Sequence, residues 1–194
     1  TYILISILII LSWLVFPNTV LFIFLVVASY HFGKEDTVFF FKRKFLISEF
    51  LFFLKGSSII LVPLLLKRTE TIEIFRILNF NVFETSFFSN QFLVIILFFS
   101  FVSSLYISLG KNTNLIGIMI MDFLSLIILN FFLTPVLAFT LYFCFLHSIR
   151  HSITLIFELD KSFRSGLKKF ISRAIPLTFA TGAIFLLAIY FLNS

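Results

Sequence analysis

Two histidines four residues apart stand in the segment His147-Ser148-Ile149-Arg150-His151. On a helix, residues at this spacing share a face, so two imidazoles can address one ion. Imidazole suits zinc, copper, iron and nickel. No Glu follows His147, so the HExxH zinc-protease pattern is absent. The pair follows the apolar run Pro135 to Leu146, and in such a run a polar group without a partner is costly and usually functional. The remaining histidine, His31, sits in Tyr30-His31-Phe32-Gly33-Lys34-Glu35-Asp36. It is either a third ligand or an interfacial histidine at a helix end. Asp36 has the right chemistry to accept the free N–H of a ligating imidazole, and is otherwise a solvated loop carboxylate. Arg150 lies between the paired histidines on another face of the helix. It can pair with Asp36, Glu158 or Asp122, or extend toward lipid headgroups. Asp122 is a partner for such a site, part of an ion path, or a helix-end carboxylate.

The elements that must carry these groups are membrane helices. The chain has 194 residues, 60% hydrophobic and only 12% charged. A soluble domain carries roughly 45–50% apolar and about 25% charged residues, so water is not the main solvent here. A bilayer core needs about 20 apolar residues per helix. Seven runs approach that length, at 1–16, 20–33, 45–66, 91–109, 115–130, 136–157 and 174–192. They predict an all-α, polytopic membrane helix bundle forming one membrane domain over 1–194. Residues 67–90, with Glu70, Glu73, Arg76 and Glu84, read as a loop containing an interfacial amphipathic piece. Lys55-Gly56 and Pro63 in the third run suggest close packing and a kink. A single cysteine, Cys144, excludes an internal disulfide.

The net charge of +6 resides in short connections between apolar runs, which points to anionic headgroups and topology rather than nucleic acid. Connections 2–3, 4–5 and 6–7 hold ten Lys and Arg; the other three connections hold three. The richer set is expected on the cytoplasmic side. Thr1 is then cytoplasmic, and His31, His147 and His151 all fall in the cytoplasmic half of the membrane. That common depth is what a shared site requires.

Three ordered segments then suggest a family. They are Tyr30-His31-Phe32-Gly33 with Asp36, Tyr142-Phe143 with His147, Arg150 and His151, and Arg173-Ala174-Ile175-Pro176-Leu177-Thr178. Together the set resembles the Brp/Blh family of bacterial and archaeal membrane β-carotene 15,15'-dioxygenases. Lys55-Gly56 with Pro63-Leu64 looks like a further family segment, with Lys where Arg is expected. The resemblance implies one Fe(II) held by four histidines, three of which map to His31, His147 and His151. The fourth, from an early His-Gly motif, has no counterpart, and is expected on a helix preceding Thr1. The resemblance further implies a bacterial inner-membrane enzyme that uses O2 to cleave β-carotene into retinal, with a functional link to a rhodopsin. The alternative is a non-enzymatic transporter or proton-conducting subunit using intramembrane His, Arg and Asp. A diiron desaturase or hydroxylase would need more histidines.

Overall fold

The computed structural model describes residues 2–38, 48–85, 88–108 and 113–193, and among them there is helix but no strand. The chain falls into two compact units, Thr1–His147 and Ser148–Ser194.

In the first unit, α1 (Tyr2–Val15) and α2 (Pro17–Val38) are separated by Phe16. Pro17 opens α2, where its missing N–H costs nothing. Helices α3 (Ser48–Leu66) and α4 (Arg68–Ile77) follow. The α4 helix ends as Asn79 turns to φ 57° and the Phe80 N–H donates back to the Phe75 carbonyl at 2.9 Å. A single turn of 3-10 helix at Val82–Glu84 leads to α5 (Asn90–Ser108) and α6 (Thr113–Phe132). Pro135 opens α7 (Pro135–Leu141), which runs into a π-helical segment, Tyr142–His147.

Small residues set the packing around α3. A Cβ on Gly33 would lie 1.8 Å from the Phe52 carbonyl oxygen, and one on Gly56 would lie 1.8 Å from that of Ser29. Only glycine permits this crossing of α2 and α3. On its other side α3 meets the buried serines Ser100, Ser103, Ser104 and Ser108 of α5. The Ser100 hydroxyl donates to the Lys55 carbonyl at 3.3 Å, while Ser103 and Ser104 donate to the carbonyl of Ser100. Their hydroxyls are thus satisfied in an apolar setting. A core of Leu21, Val62, Leu64, Phe80, Phe83 and Leu93 closes the end near α4.

The second unit contains α8 (Ser148–Leu159) and α9 (Phe163–Asn193). Gly166 brings them together, since a Cβ there would lie 2.2 Å from the Ile156 carbonyl oxygen. Asp160 ties the connection, accepting from the Ser162 N–H, the Ser165 hydroxyl and the Lys169 ammonium. These partners hold its carboxyl well below the usual carboxylate range, the Lys169 contact most of all.

Among the described residues, five helices are long and apolar enough to cross a membrane: Ser48–Leu66, Asn90–Ser108, Leu115–Phe132, Pro135–Leu159 and Phe163–Leu192. The sequence count of seven is therefore high by this measure. The α1 helix is only 14 residues. The α2 helix has the length but runs on through Lys34, Glu35 and Asp36, where a loop was expected, and this lowers its hydropathy. Helix also replaces most of the basic loop expected at Glu158 to Arg173, because α9 begins at Phe163. The amphipathic piece expected within 67–90 is α4. Most of the Lys34 to Lys44 and Gly110 to Asn114 connections lies outside the described residues.

Candidate metal centre and apolar groove

Helix α2 carries His31, Phe32 and Asp36, and the π segment carries Tyr142, Phe143 and His147. Asp36 and His147 are both buried, and Nδ1 of His147 lies 2.9 Å from Oδ1 of Asp36. The Tyr142 hydroxyl donates to the other oxygen of Asp36. An ionised carboxylate only accepts, so Nδ1 faces it as the donor, and in the neutral imidazole this tautomer leaves Nε2 as the acceptor nitrogen. A ligating imidazole is held in this way through its other nitrogen. The neighbouring imidazole of His31 lies with its ring centre 5.7 Å from that of His147.

The π segment explains why two residues five apart reach one carboxylate. In an α-helix, residues five apart point about 140° away from each other. The wider π turn hydrogen-bonds every fifth residue and brings them to one side. The 136–157 span expected as one regular helix contains this π turn, and Tyr142, which stood only in the family pattern, had no expected role at Asp36. Its signal was the Tyr-Phe-(three residues)-His spacing, which only a π turn makes meaningful.

Aromatic rings fix the imidazole of His147. Phe32 meets it edge-on at 4.6 Å and Phe143 stacks on it at 5.6 Å. Behind Asp36 is a cavity of about 20 Å³, lined by Asp36, Lys55, Ser58, Ser104, Asp122 and Tyr142 among others. It has room and polar partners for one water. Lys55 is buried, and its ammonium donates to the Thr37 hydroxyl at 3.0 Å and approaches the Met119 sulfur at 3.4 Å. Two features read from sequence as separate, the Lys55-Gly56 packing point and Asp122, thus meet behind the Asp36–His147 pair. A cation inside an apolar span was the signal for Lys55.

His31 opens onto a groove of about 610 Å³, within the range of small-molecule sites. Phe32, Phe139 and Phe143 line it near the histidine, and Pro63, Thr71, Ile74 and Phe75 line it near α4. Apart from His31 and Thr71 its lining is apolar.

His151 and Arg150 lie on α8 in the second unit, both half-buried. Among the described residues, no three His, Cys, Asp or Glu side chains gather closely enough to hold a metal ion. The donor chemistry that is assembled, two imidazoles with one oriented by a carboxylate, suits a borderline divalent ion such as iron or zinc. His31 and His147 are the part of the implied donor set that the described residues bring side by side.

A family model described as beta-carotene 15,15'-dioxygenase matches residues 1–194. The chain belongs to this family. No curated protein and no solved structure matches it. The resemblance seen in the sequence is thereby borne out over the whole chain. Family membership supports beta-carotene dioxygenase activity in general.

Proposed function

We propose that this chain is an Fe(II)-dependent dioxygenase that splits β-carotene at its central double bond into two molecules of retinal. The observation that carries the reading is the buried Asp36–His147 pair, set beside His31 at one end of an apolar groove. His31, His147 and His151 would hold the iron, the last assigned from its spacing to His147 and from the resemblance. Bound iron would supply the activation of O2 that the side chains themselves lack.

The chain's own part is binding, orientation and exclusion of water. The groove is flanked by side chains that face outward, among them Phe24, Val27 and Phe139. A polyene dissolved in lipid therefore has a sideways route in. Phe32 and Phe143 stand between the groove and His147, keeping its surroundings apolar. Tyr142 and Asp36 hold the imidazole proton on Nδ1. Holding one double bond in place supplies much of the rate in such a reaction. The Lys and Arg asymmetry supports an orientation with the histidine end toward the cytoplasm, and the resemblance implies a bacterial inner membrane. The retinal released would serve a rhodopsin, as a functional link without implied contact.

The test is expression of the full gene in a host that makes β-carotene. Loss of colour with accumulation of retinal is expected, and His147→Ala should abolish both. Retinal production that survives His147→Ala would refute the assignment.

A further inference from the structure

The groove is not centred on the histidines. Ile59 packs with Tyr142 and Phe32, which places that part of α3 at the histidine end. One turn along α3, the Pro63 carbonyl accepts from the Thr71 hydroxyl of α4 at 3.1 Å, which places α4 at the opposite end. From Phe143 back to Pro135 the segment advances eight residues, about 12 Å at the helical rise. A substrate lying along the groove therefore has the histidines at one end of its bound length.

The two ends also differ in kind. The α4 end is backed by Phe75, whose ring packs on Phe80 and Phe83 at 5.7 and 4.8 Å. Phe80 and Phe83 are both buried, so this end is closed by close-packed core. The long side of the groove is open, as Phe24, Val27 and Val136 are all more than half exposed.

From this geometry we infer that α4, through Ile74, sets which double bond is cleaved. The inference rests on the dioxygenase reading above. One ring of the carotenoid abuts Ile74, and the polyene runs from there to the histidines. The distance from Ile74 to the histidines then counts the double bonds, and the other half of the substrate extends beyond. At the selected position both bonds of C=C break. Each carbon takes one atom of the same O2, giving two aldehydes with no further reductant. Ile74 is half-buried on the groove wall and belongs to neither the histidine site nor the close-packed core.

Replacing Ile74 with Ala removes two bonds' length of side chain beyond Cβ. That reach matches one repeat of the conjugated chain. A symmetric carotenoid would give the same unequal product pair whichever way the register moved. The informative substrate is a carotenoid aldehyde with a single ring. Purified, iron-loaded wild type should release retinal as its ring-bearing product. I74A should release a ring aldehyde one double bond longer, and I74F one shorter, each as the major product.

Retinal alone from wild type and from whichever Ile74 variants fold would overturn the inference and leave the dioxygenase reading standing. No ring aldehyde from folded, iron-loaded wild type would overturn that reading, and this inference with it. If I74F does not fold, the shift in I74A decides alone, because truncation at a groove wall adds no clash.

Discussion

Gly33→Ala should be among the most damaging conservative substitutions in the chain, and the structure gives its size. The added Cβ would sit 1.8 Å from the Phe52 carbonyl oxygen and 2.8 Å from the Gly56 nitrogen. Ordinary contact begins at 3.4 Å, so α2 and α3 must separate by about 1.6 Å, the difference between 3.4 and 1.8. Both partners are backbone atoms and have no rotamer with which to yield. Overpacking of this kind costs about 1–3 kcal/mol, against a gain of roughly 0.5–1 kcal/mol from replacing a helical glycine with alanine. At about 2–4 °C per kcal/mol for a chain of this size, the unfolding midpoint should fall by several degrees. Gly117→Ala is the matched control, because nothing lies within 4 Å of its Cβ position. It should leave the midpoint unchanged or raise it slightly. The assay is thermal unfolding of both variants and wild type in the same detergent. If Gly33→Ala unfolds at or above the wild-type temperature, the close crossing of α2 and α3 is wrong. Because Gly33 lies one turn before Asp36 on α2, the variant should also lose cleavage activity.

Other outcomes follow from the site and from the second unit. Asp36→Asn can no longer accept from both Tyr142 and His147 as a carboxylate does. It should retain roughly 10–100-fold less iron affinity, measured by titrating metal-stripped protein. Tyr142→Phe removes one of the two donors to Asp36 and should show a smaller loss in the same titration; a larger loss than Asp36→Asn would contradict the arrangement. In the α8–α9 unit, the carboxyl of Asp160 is held below its usual range, so its stabilising contribution is present above the ordinary carboxylate pKa of about 3.9. That contribution disappears as pH falls through the lower, folded-state value. Thermal unfolding from neutral to acidic pH should therefore show a smaller acid-induced loss for Asp160→Asn than for wild type.

Much of this molecule was legible in its residues because lipid imposes a simple rule. Long apolar runs must be helices, and the all-α reading follows directly. The meeting of His31, Asp36 and His147 was also foreseeable, from residue type and a common membrane depth. The count of spans was not, because α2 continues as helix through Lys34-Glu35-Asp36, where charge signalled a loop. That continuation is what lifts Asp36 off a solvated loop and buries it against His147. Tyr142 stood in the family pattern, but its contact with Asp36 was hidden because it depends on a π turn, and no local residue preference announces one. Lys55 read as part of a packing point with Gly56. Its place behind Asp36 depends on α2, α3 and α6 coming together, which periodicity alone does not reveal. The groove likewise needs four separate segments, and the abundance of Phe in this chain gave no hint of which rings line it.

The most direct test of the central claim is retinal formation by the purified full-length protein, stripped of metal and resupplied with single ions under air. With β-carotene in micelles, two retinal molecules per β-carotene are expected when Fe(II) is restored, and none with Zn(II) or with chelator. Undiminished retinal formation after iron removal, or no retinal from folded protein loaded with Fe(II), would contradict it.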